Sequence, residues 1–171
     1  MDKRHGSERY VKAKKNLSGM CYGDELIKTT ELTVNRLTSR RLTMLKEFTI
    51  NTPRKGFIDI TGHVSEILGQ NQGEHSLCHV FIPHTTAGIT INENADPDVV
   101  EDMLLALDHM VPELAYKHDE GNSRAHVKAS MIGSSVSIPV AGKSLYLGTW
   151  QGIYLCEFDG PRRRRVIITI I

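Results

Sequence analysis

One stretch of this chain reads as a strong helix, and it stands among many short apolar runs of period two. "DPDVVEDMLLALDHMVP", residues 96–112, offers Asp96 for the N-cap and Pro97 for the first helical position, with Val100, Leu104 and Leu107 as a buried stripe. A parallel sheet of βαβ units needs a helix at each crossover, and most of those helices are missing. The remaining apolar runs are strand-like: "LTMLKEFTI", "FIDIT", "SLCHVFI", "GITIN", "HVKASMIG", "VSIPV", "SLYLGT", "GIYLCEF" and "RVIITII", with Gly and Pro turns between them. "GHVSEILG" is a shorter helix, with Val64, Ile67 and Leu68 at helical spacing and Gly69 closing it. The expected fold is therefore α+β, a mainly antiparallel β-sandwich or distorted jelly roll with one or two helices packed on one side.

Residues 1–43 differ from the rest. "MDKRHGSERYVKAKKNLSG" is basic, polar and almost free of large aliphatics, which suits a flexible arm, and the domain proper is expected over 44–171. At 171 residues the chain can bury a core without metal or disulfide staples. A net charge of +1 argues against a globally basic nucleic-acid binder. No apolar run approaches the roughly 18 residues of a membrane span, and the N-terminus lacks the apolar core of a secretory signal. Cys21, Cys78 and Cys156 form no CxxC pair, and Cys78 and Cys156 lie in apolar runs where a reduced cysteine acts as a small core residue. These features together point to a cytoplasmic protein that binds neither membrane nor nucleic acid.

Three polar clusters could carry chemistry. In "VFIPHTTAGITINENADPD", residues 80–98, a strand stops at Pro83 and three polar residues follow: His84, Thr85 and Thr86. They form either a base or metal ligand with phosphate-binding neighbours, or a turn that satisfies its own backbone. Asn92 and Glu93 precede the strong helix, whose N-terminus favours anions, and Asp96 already fills the capping role. "YKHDEGNSRAH", residues 116–126, places His118, Glu120, Asn122 and His126 around Gly121, and is either a solvated loop or an acid–base or zinc cluster of no standard spacing. His126 is expected at the rim of a strand whose inward set is Val127, Ala129 and Met131. "LGTWQGIYLCEFDGPRRRRV", residues 147–166, sets Trp150 beside Gln151 and puts Glu157 in register with Ile153 and Leu155, where a carboxylate needs an arginine or a metal. The arginines after "DGP" are either edge protection or a phosphate site.

Taken together and in order, these three motifs closely resemble the YjbQ-like family, often labelled secondary thiamine-phosphate synthase, from about residue 44 to the C-terminus. The resemblance implies a compact β-rich α+β fold, a homotrimer and a weak thiamine-phosphate synthase activity on phosphorylated small molecules. It carries the family's histidines onto His84, His118 and His126, its acidic and amide positions onto Glu93, Glu120 and Asn122, and its arginines onto Arg162 and Arg164. Thr85, Thr86, Asn92, Trp150 and Gln151 complete the expected substrate contacts. Two other functions use the same residues. One is a hydrolase or phosphoesterase with zinc on His84, His118 and His126 and Glu120 as general base; the other is a trimeric binder of phosphorylated metabolites without turnover. A divalent metal, zinc or magnesium, is the expected cofactor.

Overall fold

In the computed structural model, the described residues are 17–22, 25–32, 43–71 and 73–171. Ten strands and three helices follow in the order β1 (Leu17–Tyr22), β2 (Glu25–Leu32), β3 (Met44–Asn51), β4 (Gly56–Asp59), α1 (Thr61–Gly69), β5 (Leu77–Phe81), β6 (Ala87–Glu93), α2 (Pro97–Met110), α3 (Ser123–Ile132), β7 (Ser135–Ala141), β8 (Ser144–Leu145), β9 (Gln151–Glu157) and β10 (Arg163–Ile170). Every strand pairing is antiparallel. One sheet runs β1-β2-β3-β10-β5-β7-β8, and the other runs β4-β9-β6. The mainly antiparallel α+β architecture expected from the sequence holds. Two strands, β1 and β2, fall within the stretch read as an arm, and β2 pairs with β3; residues 1–16, 23–24 and 33–42 of that stretch lie outside the described residues.

The smaller sheet is covered on both faces. Ile89 of β6 and Ile153 and Leu155 of β9 meet Phe48, Val80, Val166, Ile168 and Ile170 of the larger sheet in one core, which α1 joins through Val64, Ile67 and Leu68. The opposite face, with Tyr154 and Cys156, lies under Leu107 of α2 and Ala125 and Ala129 of α3. Burial from both sides explains why β9 reads as a continuous apolar run rather than an alternating one. On β5 of the larger sheet, burial in the shared core pushes the Cys78 thiol up to about 11, in keeping with a core role for that cysteine.

The two expected helices form as read. Asp96 caps α2 by accepting from the Asp98 N–H, and Pro97 opens the helix. Of its expected stripe only Leu107 is fully buried. The strand expected at "HVKASMIG" is instead part of helix α3, which corrects both the element and the side it buries. Ala125, Lys128 and Ala129 face inward, whereas Val127 and Met131 are 40% and 53% exposed. Period two and period 3.6 both fit so short a run, and the small Ala125–Ala129 pair lets the helix lie close on the sheet. Asp108 ties α2 to α3, accepting from Lys128 and, at 3.0 Å, from Arg124. Gly88 of β6 makes the approach possible: a Cβ there would stand 2.8 Å from the Gly133 carbonyl that ends α3. No helix among the described residues is long and apolar enough to cross a membrane.

Candidate functional site

At one end of the smaller sheet, four segments converge on a cleft of about 440 Å3. Pro83, His84, Thr85 and Thr86 come from the β5–β6 turn, and His118, Glu120 and Asn122 from the loop before α3. His126 comes from α3 itself, and Asp159 and Arg162 from the β9–β10 turn, with Arg164 following at the start of β10. Nine of the residues singled out in the sequence therefore meet here. Asp159 was not among them, and its position in "FDGPR", next to Glu157 and the arginines, was the available signal.

The floor of the cleft is an ion pair. Glu157 is 0% exposed on the inward face of β9, and its partner is an arginine, as one of the two sequence readings required. Arg164 donates from Nε to Oε2 and from Nη2 to Oε1, both at 2.6 Å, and from Nη2 to Thr86 Oγ1 at 2.8 Å. The Thr52 hydroxyl and the Asp159 N–H also donate to this carboxylate. Burial alone would raise the Glu157 pKa, but these donors together hold it below the usual carboxylate value. The turn that delivers Arg162 depends on Gly160, where a Cβ would lie 2.0 Å from the Pro53 carbonyl oxygen. Arg162 donates from Nε to the Asp159 carbonyl and from Nη2 to Asp159 Oδ2, both at 2.7 Å. Asp159 also accepts from Asn122 Nδ2 at 3.0 Å. Burial works to raise its pKa, and Asn122, Arg162 and the Arg164 charge outweigh that and lower it.

The histidines are arranged differently from the zinc set expected. The His118 and His126 rings stand edge to face with centroids 5.4 Å apart, and His118 Nε2 is 3.9 Å from Glu120 Oε2. His84 is turned to β10, where its Nε2 accepts the Arg165 backbone N–H at 2.8 Å. Among the described residues no group of three or more His, Cys, Asp or Glu is placed to hold a metal ion. As the side chains are placed, His84, His118 and His126 do not converge as one set of ligands. His126 also sits on a helix, not at the sheet rim expected for it.

Asn92, Glu93, Trp150 and Gln151 lie elsewhere. Antiparallel pairing sets Ala87 opposite Glu157 and Glu93 opposite Gln151, so the two motifs share both ends of one ladder. The seven residues of β6 span about 20 Å, which separates these four from the cleft. Asn92 bonds Met103 Sδ and the Glu93 N–H, Gln151 accepts from the Gly148 N–H, and the Trp150 carbonyl accepts from the Asn94 N–H. The Trp150 side chain is 63% exposed.

Fold and cleft together define a compact antiparallel α+β protein with an arginine-, threonine- and histidine-lined pocket at a sheet end. The chain belongs to the YjbQ-like family: the profile described as "UPF0047 protein YjbQ-like" matches residues 46–171. It is 48% identical over 132 residues to the UPF0047 protein YugU of Bacillus subtilis, covering 75% of this chain and 99% of that protein. A UPF0047 protein of Methanocaldococcus jannaschii is 44% identical over 130 residues, covering 75% and 94%. The crystal structure of a YjbQ/UPF0047 protein from Clostridium acetobutylicum superimposes with a TM-score of 0.71 at 53% identity, covering 73% of this chain and 98% of that one.

Proposed function

We propose that the cleft binds the phosphate groups of a small molecule, and that the chain uses it for a weak thiamine-phosphate synthase reaction as a homotrimer. The observation that carries the phosphate reading is the pair of anchored arginines. Arg162 and Arg164 each spend Nε and Nη2 on Asp159 or Glu157 with its Thr86 neighbour, and Nη1 of each has no partner among the described residues and is left for a ligand. Thr86 accepts from Arg164, so its own proton remains to be donated, and Thr85 is exposed beside it. Glu157 and Asp159 offset the arginine charges. Recognition thus rests on directed N–H and O–H donors more than on surplus positive charge.

Joining a pyrimidine diphosphate to a thiazole phosphate requires the departing pyrophosphate to be stabilised, and fixed donors of this kind do that without reorganising. Calorimetric titration with inorganic pyrophosphate tests the binding step. Arg162→Ala should weaken it roughly tenfold or more, the worth of a charge-assisted hydrogen bond. Absence of pyrophosphate binding at millimolar concentration would remove the reading. Incubation with both phosphorylated substrates then separates a slow synthase from a binder without turnover, which would use the same donors and release no pyrophosphate.

A further inference from the structure

β5 ends at Phe81, which stands opposite Ile167 of β10. Beyond that point the chain turns away, with the Ile82 N–H given to the Ser134 carbonyl. The β10 edge is then left without a strand two residues further along, at Arg165. The His84 ring takes that vacated position, and its Nε2 meets the Arg165 N–H at 2.8 Å. A peptide N–H can only donate. Nε2 must therefore present its lone pair, and the ring proton must sit on Nδ1. A proton on Nε2 would set two N–H groups against each other.

This arrangement bears on all three chemical roles open to His84. As general base or metal ligand the ring needs a free lone pair, and the one it has is taken by the Arg165 peptide. As a cation it needs a second proton on that same atom. Burial disfavours the cation first, and the charges of Arg164, Arg165 and Arg162 add to this, against an opposing contribution from Glu157. What remains for a ligand is Nδ1, which has no hydrogen-bond partner among the described residues and belongs to a ring lining the cleft.

We infer that His84 is a fixed Nδ1–H donor to a phosphate oxygen of the ligand, with the Arg165 peptide as the group that positions it. The inference rests on the phosphate reading of the cleft and adds to it. At this point the pocket selects an acceptor-only oxyanion, and His84 neither gives up nor takes a proton.

Nitrogen-resolved NMR of the His84 ring in the full chain, with and without pyrophosphate, reads the tautomer directly. The expected result at pH 7 is a neutral ring protonated on Nδ1 in both states; an Nε2–H tautomer or an imidazolium would overturn the inference. Substitutions give the second readout. His84→Ala should lower pyrophosphate affinity about tenfold, the worth of one good hydrogen bond. His84→Asn places an amide N–H near the Nδ1 position and should recover most of that loss. His84→Gln places its amide near Nε2, so it should satisfy the Arg165 N–H without restoring affinity. If Asn binds as poorly as Ala while all three variants melt like the wild type, His84 is not acting through Nδ1–H. If the wild type binds no pyrophosphate, the phosphate reading fails and takes the ligand role of His84 with it. Binding by the wild type with the opposite tautomer overturns the His84 inference alone.

Discussion

Arg164 and Glu157 show how one buried pair shapes both stability and the site. The Arg164 side chain is 5% exposed and that of Glu157 0%, so removing one leaves an uncompensated charge between the sheets. Glu157→Gln should cost about 3–5 kcal/mol in urea unfolding, whereas replacing both partners with apolar residues should cost far less. A single-site loss below 1 kcal/mol would show that water reaches the pair. Acid should weaken the fold in two stages. His84 has its pKa lowered from 6.5, so below that value the unfolded chain takes up a proton first and stability falls as pH falls. Glu157 and Asp159 are lowered from 4.5 and 3.8, so their contribution is present above those values and is lost as pH drops through the folded-state values. Melting temperatures from pH 8 to 3 should decline in that order, and His84→Gln should remove the first stage. A first stage unchanged in that variant would assign it to another histidine.

The element that decides the site is the ladder between β6 and β9. Its close seat under α3 depends on Gly88, so Gly88→Ala should destabilise by about 1–3 kcal/mol through overpacking against Gly133. It should also shift His126 relative to His118, visible as altered ring chemical shifts. An unchanged melting point would mean that the end of α3 yields freely. Much of this architecture was legible, because turn residues and period-two runs located β3–β7, β9 and β10, and cap chemistry located α2. The helix α3 was hidden because "RAHVKASMI" offers apolar residues at both periods and carries a lysine, Lys128, on its buried face. Glu93, Asn92, Trp150 and Gln151 were grouped with the cleft because they adjoin its motifs in sequence. A seven-residue strand separates the ends of a motif as surely as it joins them, and counting the strand rise from Thr86 to Glu93 would have shown it. The relatives bear on the arm as well. YugU is matched over 99% of its length by 75% of this chain, so a protein starting at Met44 should fold with nearly the full-length melting midpoint. A loss of several degrees would show that pairing of β2 with β3 is needed.

At the scale of the whole molecule, the strand β10 carries apolar side chains on both faces, more than a strand with one wet face should. Val166, Ile168 and Ile170 fill the core, while Ile167 is only partly covered and lies directly across from the exposed Phe81. Directly opposed residues share a face, so these two make an outward apolar pair that fits the proposed assembly. Light scattering should return a trimer mass, and Phe81→Asp should shift it toward monomer without unfolding the chain. A monomeric wild type at micromolar concentration would remove assembly from the account. The most direct test is a crystal structure of the full chain grown with pyrophosphate. The account predicts phosphate oxygens within hydrogen-bond distance of Nη1 of Arg162, Nη1 of Arg164 and Nδ1 of His84, with the Arg165 N–H still bonded to Nε2. Pyrophosphate bound away from these groups, or a His84 ring turned from Arg165 to take a metal, would contradict it.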